Sequence, residues 1–227
     1  MNQLRIIVTH DGSHSLFYST INETYHSIHG ALQESKHVFI RNGVEHLIKN
    51  RVLPSLSIFE VGFGTGLNAL LVAEFAEKHR ITIDYCALEL FPLPWETIAQ
   101  LNYAQLLAWH TAPALFEKIH ECDWGNTHRI TEFFSLRKEK ASIHDYLISK
   151  KYDCVFFDAF APEKQPEMWT LEVLRKVTDA LSHDGVLVTY CAKGQLRRDL
   201  VSLNFKVEKL PGPPGKREMT RALRDFN

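Results

Sequence analysis

The stretch Ile58-Phe59-Glu60-Val61-Gly62-Phe63-Gly64-Thr65-Gly66-Leu67-Asn68 constrains this chain more than any other. An apolar run carrying an acid meets three glycines at alternate positions and then a helical pattern. That order predicts a strand, a tight turn and a helix N-terminus, the geometry of a nucleotide-sized cofactor site. The glycine spacing narrows the cofactor. A dinucleotide fingerprint needs glycine three residues after Gly64, where Leu67 stands. A phosphate-binding loop needs Gly-Lys-Ser/Thr, which is absent. An acid followed by G-x-G-x-G suits a phosphate-free cofactor such as S-adenosylmethionine, whose carboxylate the loop amides can meet. The bland alternative is a sharp strand-to-helix turn that binds nothing.

The 227 residues make one domain, or a domain with an extension. With 45% apolar residues and 23% charged, a large core is expected rather than disorder. No run of eighteen apolar residues suggests a membrane span, and no basic-then-apolar leader is visible. Cys86, Cys122, Cys154 and Cys191 lie far apart, and three sit in strand-like runs. That usage reads as buried thiols in a reducing compartment and points to the cytoplasm. The net charge of −1 does not announce a nucleic-acid binder, but its distribution is uneven. From Lys193 onward nine basic residues face four acidic ones, leaving the rest of the chain acidic. Such an end serves either as a local phosphate-binding surface or as an ordinary solvated edge.

Strand and helix patterns alternate from about residue 57. Strands are expected at Ser57–Val61, Ile81–Leu88, Arg129–Arg137, Tyr152–Phe157 and Gly185–Tyr190, and helices at Leu67–Lys78, Pro94–Ala108, Ala112–Ile119, Pro166–Ala180 and Gly194–Leu203. Two short strands, Phe205–Leu210 and Glu218–Leu223, close the chain around a Pro/Gly loop. The fold class implied is α/β: a Rossmann-like, mostly parallel sheet with an antiparallel strand near the C-terminus. Residues 1–50 are polar and aromatic with weak periodicity, and read as an N-terminal extension packed over the cofactor crevice. Residues 51–227 form the catalytic domain in this reading.

The chemistry should sit outside the carboxyl ends of the strands. Glu60, Gly62, Gly64, Gly66 and Asn68 belong to the cofactor loop. Glu89 ends the second strand, where an acid accepts hydrogen bonds from both ribose hydroxyls. Asp158-Ala159-Phe160-Ala161-Pro162 follows the fourth strand, so Asp158 should face the crevice near both cofactor and acceptor. Transfer to an amine needs a neutral nitrogen aligned with the methyl–sulfur bond. A carboxylate can orient that amine and take its proton late, although it also stabilises the unreactive ammonium. Positioning is therefore the favoured role for Asp158. Phe160 can stack on a base, or simply fill the core. Tyr190 should flank the acceptor side. Lys193, Arg197 and Arg198 share one stretch of helix, and Lys216 and Arg217 follow the Pro/Gly loop; together they suit phosphate contacts. No metal site is expected, because His26 and His29 lack acidic or cysteine partners at a recognisable spacing.

These blocks resemble the methyltransferase half of the MnmC-type bifunctional enzymes of tRNA wobble-uridine modification, and most nearly their stand-alone, MnmD-like form. The resemblance runs nearly end to end. It includes Asp11-Gly12-Ser13, Tyr25-His26-Ser27, Gly30 to Ile40, Glu60 to Asn68, Glu89 to Leu93, Asp158 to Trp169, Thr189 to Gly194 and Pro211 to Met219. It implies methylation, from S-adenosylmethionine, of the amine of 5-aminomethyl-(2-thio)uridine at the wobble position of tRNA. The product would be 5-methylaminomethyl-(2-thio)uridine. Two departures stand out. The bifunctional relatives carry a flavin-dependent oxidase domain, and no flavin domain is expected in this chain. Where the family has Gly-Asp after its third strand, this chain has Ala141-Ser142, which makes Ser142 the candidate for the adenine amine. Two other readings stay open: an aminopropyltransferase-like enzyme acting on a small polyamine, which an acidic acceptor groove would favour, and a non-catalytic RNA-binding adaptor.

Overall fold

The structure, a computed structural model, describes residues 3–50 and 54–224. Three short strands open it: β1 (Leu4–Val8), β2 (His14–Tyr18) and β3 (Glu23–Thr24), an antiparallel sheet of their own. A continuous helical stretch follows. It begins as α1 (Ala31–Ser35), widens into a π-helix (Lys36–Val44) and ends as α2 (Glu45–Asn50). The boundary expected at residue 51 lies outside the described residues.

The main sheet has eight strands. Five are parallel: β4 (Ser55–Val61), β5 (Thr82–Leu88), β7 (Phe134–Glu139), β8 (Tyr152–Phe157) and β9 (Leu181–Thr189). At one edge β6 (Thr127–Arg129) runs antiparallel to β7. At the other edge lie β10 (Phe205–Pro211) and β11 (Glu218–Arg224), with β11 antiparallel to β9. The order is β10-β11-β9-β8-β4-β5-β7-β6. β4 therefore has its successor β5 on one side and the later β8 on the other, and the crevice opens where the winding reverses. The central strands read as near-continuous apolar runs because both of their faces are covered.

Helix α3 (Leu67–His79) leaves the glycine loop and is buried on most of its circumference. It stops at Arg80, which adopts a left-handed φ of 54°. The single helix expected over Pro94–Ala108 is two short ones, α4 (Trp95–Ile98) and α5 (Tyr103–Leu106). Asn102 explains the break. Its side chain accepts from the His14 N–H at 2.7 Å and donates to the Gly12 carbonyl at 2.9 Å, serving the N-terminal strands rather than a helix. Helix α6 (Ala112–Glu121) matches expectation. The strand expected over Arg129–Arg137 is instead the β6–β7 hairpin, turned at Thr131, whose hydroxyl accepts from the Phe134 N–H at 3.1 Å. The helix expected from Pro166 begins as a 3-10 turn (Pro166–Trp169), and α7 (Leu171–Asp179) then starts behind a Thr170 cap. Helix α8 (Gly194–Ser202) leads to the closing strand pair.

Residues 31–50 are more than a cover. Val38, Phe39, Val44 and Leu47 are buried in the same core as α3 and the sheet. Phe39 packs against Phe156 with ring centres 5.0 Å apart. Gly43 permits this closeness, since a Cβ there would lie 3.2 Å from both Phe156 and Val188.

Candidate functional site

One cavity of about 1110 Å³ lies at the carboxyl ends of β4, β5 and β8 and reaches under the N-terminal strands. That exceeds the usual volume of a single-ligand pocket, so it has room for a cofactor and part of a second reactant. The glycine loop forms its floor. Gly62 has φ 95°, and a Cβ there would meet the Asp158 carbonyl at 2.6 Å. Gly64 has φ 49° and lies under the Tyr25 ring. Gly66 is the left-handed residue before α3, and a Cβ there would strike His120. The first two glycines line the cavity; Gly66 shapes the turn from behind.

Two carboxylates organise this floor. Glu89 Oε2 accepts from the Gly64 N–H at 3.0 Å, and its Oε1 accepts from the Phe91 N–H at 2.9 Å. A carboxylate has further lone pairs, so Glu89 keeps accepting capacity toward the cavity it lines. Glu60 is fully buried one layer behind the wall. Asn68 Nδ2 joins the two sides, donating at 2.9 Å to Glu60 Oε1 and at 2.9 Å to Asp158 Oδ2. Burial pushes the Glu60 carboxyl well above its ordinary range. Asn68 Oδ1 is buried with no hydrogen-bond partner among the described residues. That orphaned acceptor beside the glycine loop can receive a donor from a ligand. Ser142 also lines the cavity, with its hydroxyl accepting from the His144 N–H at 3.2 Å.

Asp158, at the end of β8, holds the wall beside the glycine loop. Its N–H donates to the Val61 carbonyl at 3.0 Å, tying it to the glycine strand. Burial, with a smaller contribution from the negative charge of Glu34, pushes its carboxyl up to about 7. Tyr190 lies close by, its hydroxyl donating to the Ala159 carbonyl at 2.8 Å. Phe160 meets Tyr25 edge to face, ring centres 5.0 Å apart. Its backbone is pinned on both sides: its N–H donates to Gln165 Oε1 at 3.1 Å, and its carbonyl accepts from Trp169 Nε1 at 2.8 Å. Asp158, Phe160 and Tyr190 are thus brought together on one wall.

The basic residues divide. A second hollow of about 470 Å³, outside the main cavity, is bordered by Lys193, Arg217 and Glu163, and Tyr190 and Lys216 border both hollows. Lys193 is exposed and ion-paired with Glu163. Arg198 is on the surface of α8, bonded to Gln195 at 2.8 Å. Arg197 departs from the phosphate-binding expectation. It is spent inside the fold, donating to Glu218 at 2.6 Å, the Thr220 hydroxyl at 3.1 Å and the Met219 carbonyl at 3.2 Å, which fastens α8 to β11. Lys216 turns inward to Glu34.

Several lining residues come from the N-terminal segment: Tyr25, His26 and Glu34. Their individual roles were not legible in the sequence, because no chemical motif marks these residues. His26 Nε2 lies 2.7 Å from the Thr65 hydroxyl, and burial lowers its pKa to about 4, so it is neutral at pH 7. Asp11 explains part of the Asp11-Gly12-Ser13 block. Its Oδ2 accepts from the Gln33 N–H at 3.0 Å at the start of α1, the helix that carries Glu34.

Residues 108–225 match the S-adenosyl-L-methionine-dependent methyltransferase family. The chain belongs to that family. Its cofactor is S-adenosylmethionine. Among curated proteins, it is 32% identical to the tRNA 5-methylaminomethyl-2-thiouridine biosynthesis bifunctional protein MnmC of Leptospira interrogans, over 87% of this chain and 32% of that protein. The MnmC of an Azoarcus species is 30% identical over 90% of this chain and 33% of its own length. The chain thus spans about a third of these relatives. Among solved structures, MnmC2 from Aquifex aeolicus superposes with a TM-score of 0.75 at 28% identity, covering 99% of this chain and 71% of that one. Spermidine synthase from Thermotoga maritima gives a TM-score of 0.62 at 12% identity, over 99% of this chain and 70% of that one, a likeness of fold alone.

Proposed function

We propose that this methyltransferase N-methylates the amine of 5-aminomethyl-(2-thio)uridine at the tRNA wobble position. The observation that carries the reading is Asp158: a buried carboxyl next to the glycine loop, beside Tyr190 and Phe160, with cations in the hollow outside. The similarity to MnmC proteins supports the substrate class.

The cofactor-binding roles follow the chemistry of the donors. Glu89 receives the ribose hydroxyls. The amides and bare Cα atoms of Gly62 and Gly64 admit close approach, with Gly66 fixing the turn. Asn68, with Glu60 behind it and Asp158 beside it, faces the amino-acid end. Ser142 meets the adenine side. When bound, S-adenosylmethionine supplies an electrophilic methyl group. The protein's part is to present a neutral amine. An alkylamine arrives mostly as ammonium at neutral pH and must lose a proton. A carboxyl with a pKa of about 7 is ionised often enough to accept that proton and basic enough to hold it. Raising the carboxyl toward neutrality thus removes the conflict between orienting an amine and trapping it as ammonium. Phe160 offers a flat face for the uridine ring, and Tyr190 flanks the amine. Lys193, Arg198 and Arg217 remain as outward cations for phosphates. Residues 1–50 act in this reading as an extension that closes the site, and residues 51–227 as the methyltransferase domain.

A polyamine acceptor would also suit the carboxylates at this end of the cavity, but not the cations outside it. One experiment decides: incubation with labelled S-adenosylmethionine and tRNA bearing 5-aminomethyl-2-thiouridine, followed by nucleoside mass spectrometry. Label is expected in 5-methylaminomethyl-2-thiouridine. Unlabelled tRNA, or transfer to a polyamine instead, overturns the assignment.

A further inference from the structure

The acceptor end of the cavity is already occupied by a cation of the protein's own. Lys216 Nζ is ion-paired with Glu34 Oε2 and lies 3.9 Å from the centre of the Tyr190 ring. A carboxylate and an aromatic face are the partners that a partly desolvated ammonium takes. The anionic partner is fixed. The Glu34 side chain is only 7% exposed, and its other oxygen accepts from the Ser27 N–H at 3.0 Å. The cationic partner is on a tether. Lys216 extends from the Pro/Gly loop between β10 and β11, whose backbone is held by Gly212 N–H to the Arg217 carbonyl at 3.1 Å and Lys216 N–H to the Pro213 carbonyl at 2.9 Å. Its flexible stem borders both the cavity and the outer hollow.

We propose that Glu34 and the face of Tyr190 form the subsite for the acceptor's ammonium, and that Lys216 fills this subsite until the acceptor arrives. The inference deepens the function proposed above and rests on it. Charge balance drives the exchange. A buried carboxylate that loses its partner is strongly destabilising, so Glu34 keeps Lys216 until another cation replaces it. The incoming ammonium takes the place of Lys216. Lys216 swings into the outer hollow beside Arg217 and Lys193, where a phosphate of the acceptor receives it. Every charge stays paired, and a polyanion carrying an alkylamine supplies both halves of the exchange at once. A neutral acceptor, or an amine without a phosphate, supplies neither or only one. Asp158 is close enough to feel both members of the pair, Glu34 raising its pKa and Lys216 lowering it. Once the ammonium is seated on Glu34, one proton passes to the Asp158 carboxylate and the nitrogen lone pair is free; the neutral amine still donates an N–H to Glu34, and methylation restores the positive charge beside it. Glu34 is thus a positioning residue that the sequence motifs do not single out.

The test compares two tRNAs of one sequence, one bearing 5-aminomethyl-2-thiouridine and the other 2-thiouridine, bound to enzyme saturated with S-adenosylhomocysteine. Wild type should prefer the amine-bearing tRNA by about tenfold or more, the scale of one good cation site. Glu34→Gln should lose most of this preference while binding the amine-free tRNA as wild type does. Lys216→Met should keep or increase the preference, because the competing cation is gone, while binding both tRNAs more weakly and with a flatter salt dependence. Glu34→Gln with the wild-type preference overturns the proposal, and so does Lys216→Met with the preference lost. If Glu34→Gln fails to fold, as judged by lost S-adenosylhomocysteine binding, Glu34→Asp replaces it. An intermediate preference is then expected, and an unchanged one overturns the subsite. A wild-type enzyme that methylates the amine-bearing tRNA but shows no preference in binding refutes the subsite alone. One that methylates neither tRNA refutes the function on which the subsite rests.

Discussion

The two halves of the cavity are built differently. The half proposed for the cofactor is built largely on main chain. Gly62 and Gly64 take positive φ, and Glu89 is held by two backbone N–H groups. The half proposed for the acceptor is made of side chains from four distant segments: Glu34 from α1, Asp158 after β8, Tyr190 after β9, and Lys216 from the last loop. A main-chain site tolerates almost no change at its glycines and much change around them. A side-chain site responds in graded steps, each set by one group's charge.

The sharpest way to break this contrast is Gly64→Arg. The side chain would need a left-handed backbone and would enter the space under Tyr25. S-adenosylmethionine binding should vanish by calorimetry while circular dichroism shows a folded protein. Retained binding would mean the floor is not where the cofactor lies.

Asp158→Asn should lower single-turnover methylation by about 10²-fold or more at saturating cofactor and tRNA, with cofactor affinity nearly unchanged. The wild-type rate should rise with pH up to about 7, as Asp158 ionises, and then level off, whereas the variant should keep rising above 7 as more of the amine becomes neutral in solution. Stability carries the opposite sign. Burial pushes the folded carboxyl up to about 7, against 3.8 for an ordinary aspartate. The folded state therefore binds more protons than the unfolded one between those values, and stability falls as pH rises through that window. Asp158→Asn should be more thermostable than wild type at pH 8, and this advantage should fade below about pH 4. An equal rate, or no gain in stability at pH 8, would remove Asp158 from its role.

Glu89→Ala should weaken S-adenosylmethionine by about 1–3 kcal/mol, the scale for hydrogen bonds to a charged acceptor. Wild-type affinity in calorimetry would show that Glu89 serves only the Gly64 and Phe91 amides.

The smallest effects separate Arg197 from its neighbours. Arg197→Ala should lower the melting temperature by about 2–4 °C per kcal/mol lost and leave the salt slope of tRNA binding unchanged. Lys193→Ala and Arg217→Ala should leave melting unchanged, while each lowers that slope by somewhat less than about one unit. A changed slope for Arg197→Ala would return it to the RNA surface.

The same contrast explains what could be read in advance. The glycine loop, Glu89 and the Asp158 block are contiguous or end a recognisable strand, so local pattern was enough to place them. The central strands were legible because both faces are apolar. What local pattern missed depended on partners elsewhere in the chain. Helix 94–108 breaks because Asn102 bonds His14 and Gly12. Arg197 looked like a phosphate ligand until Glu218 and Thr220, more than twenty residues on, came to meet it. Glu34 lay in plain view in a block of the resemblance, yet its significance depends on Lys216 and Tyr190, and only the tertiary fold brings those three together.

The backbone link between Gly62 and Asp158 has a consequence for how such an enzyme can change. The Asp158 N–H is bonded to Val61, and the Asp158 carbonyl sits so close to Gly62 that no side chain fits between them. The glycine loop and Asp158, the walls proposed for donor and acceptor, are therefore bolted to a single chassis. Their alignment is inherited from adjacent strands of one sheet and needs no tuning by the residues at the entrance. In the proposed function, the α1 segment and the β10–β11 loop can drift in sequence and change which acceptor is taken, while the geometry between the glycine loop and Asp158 stays where the sheet put it.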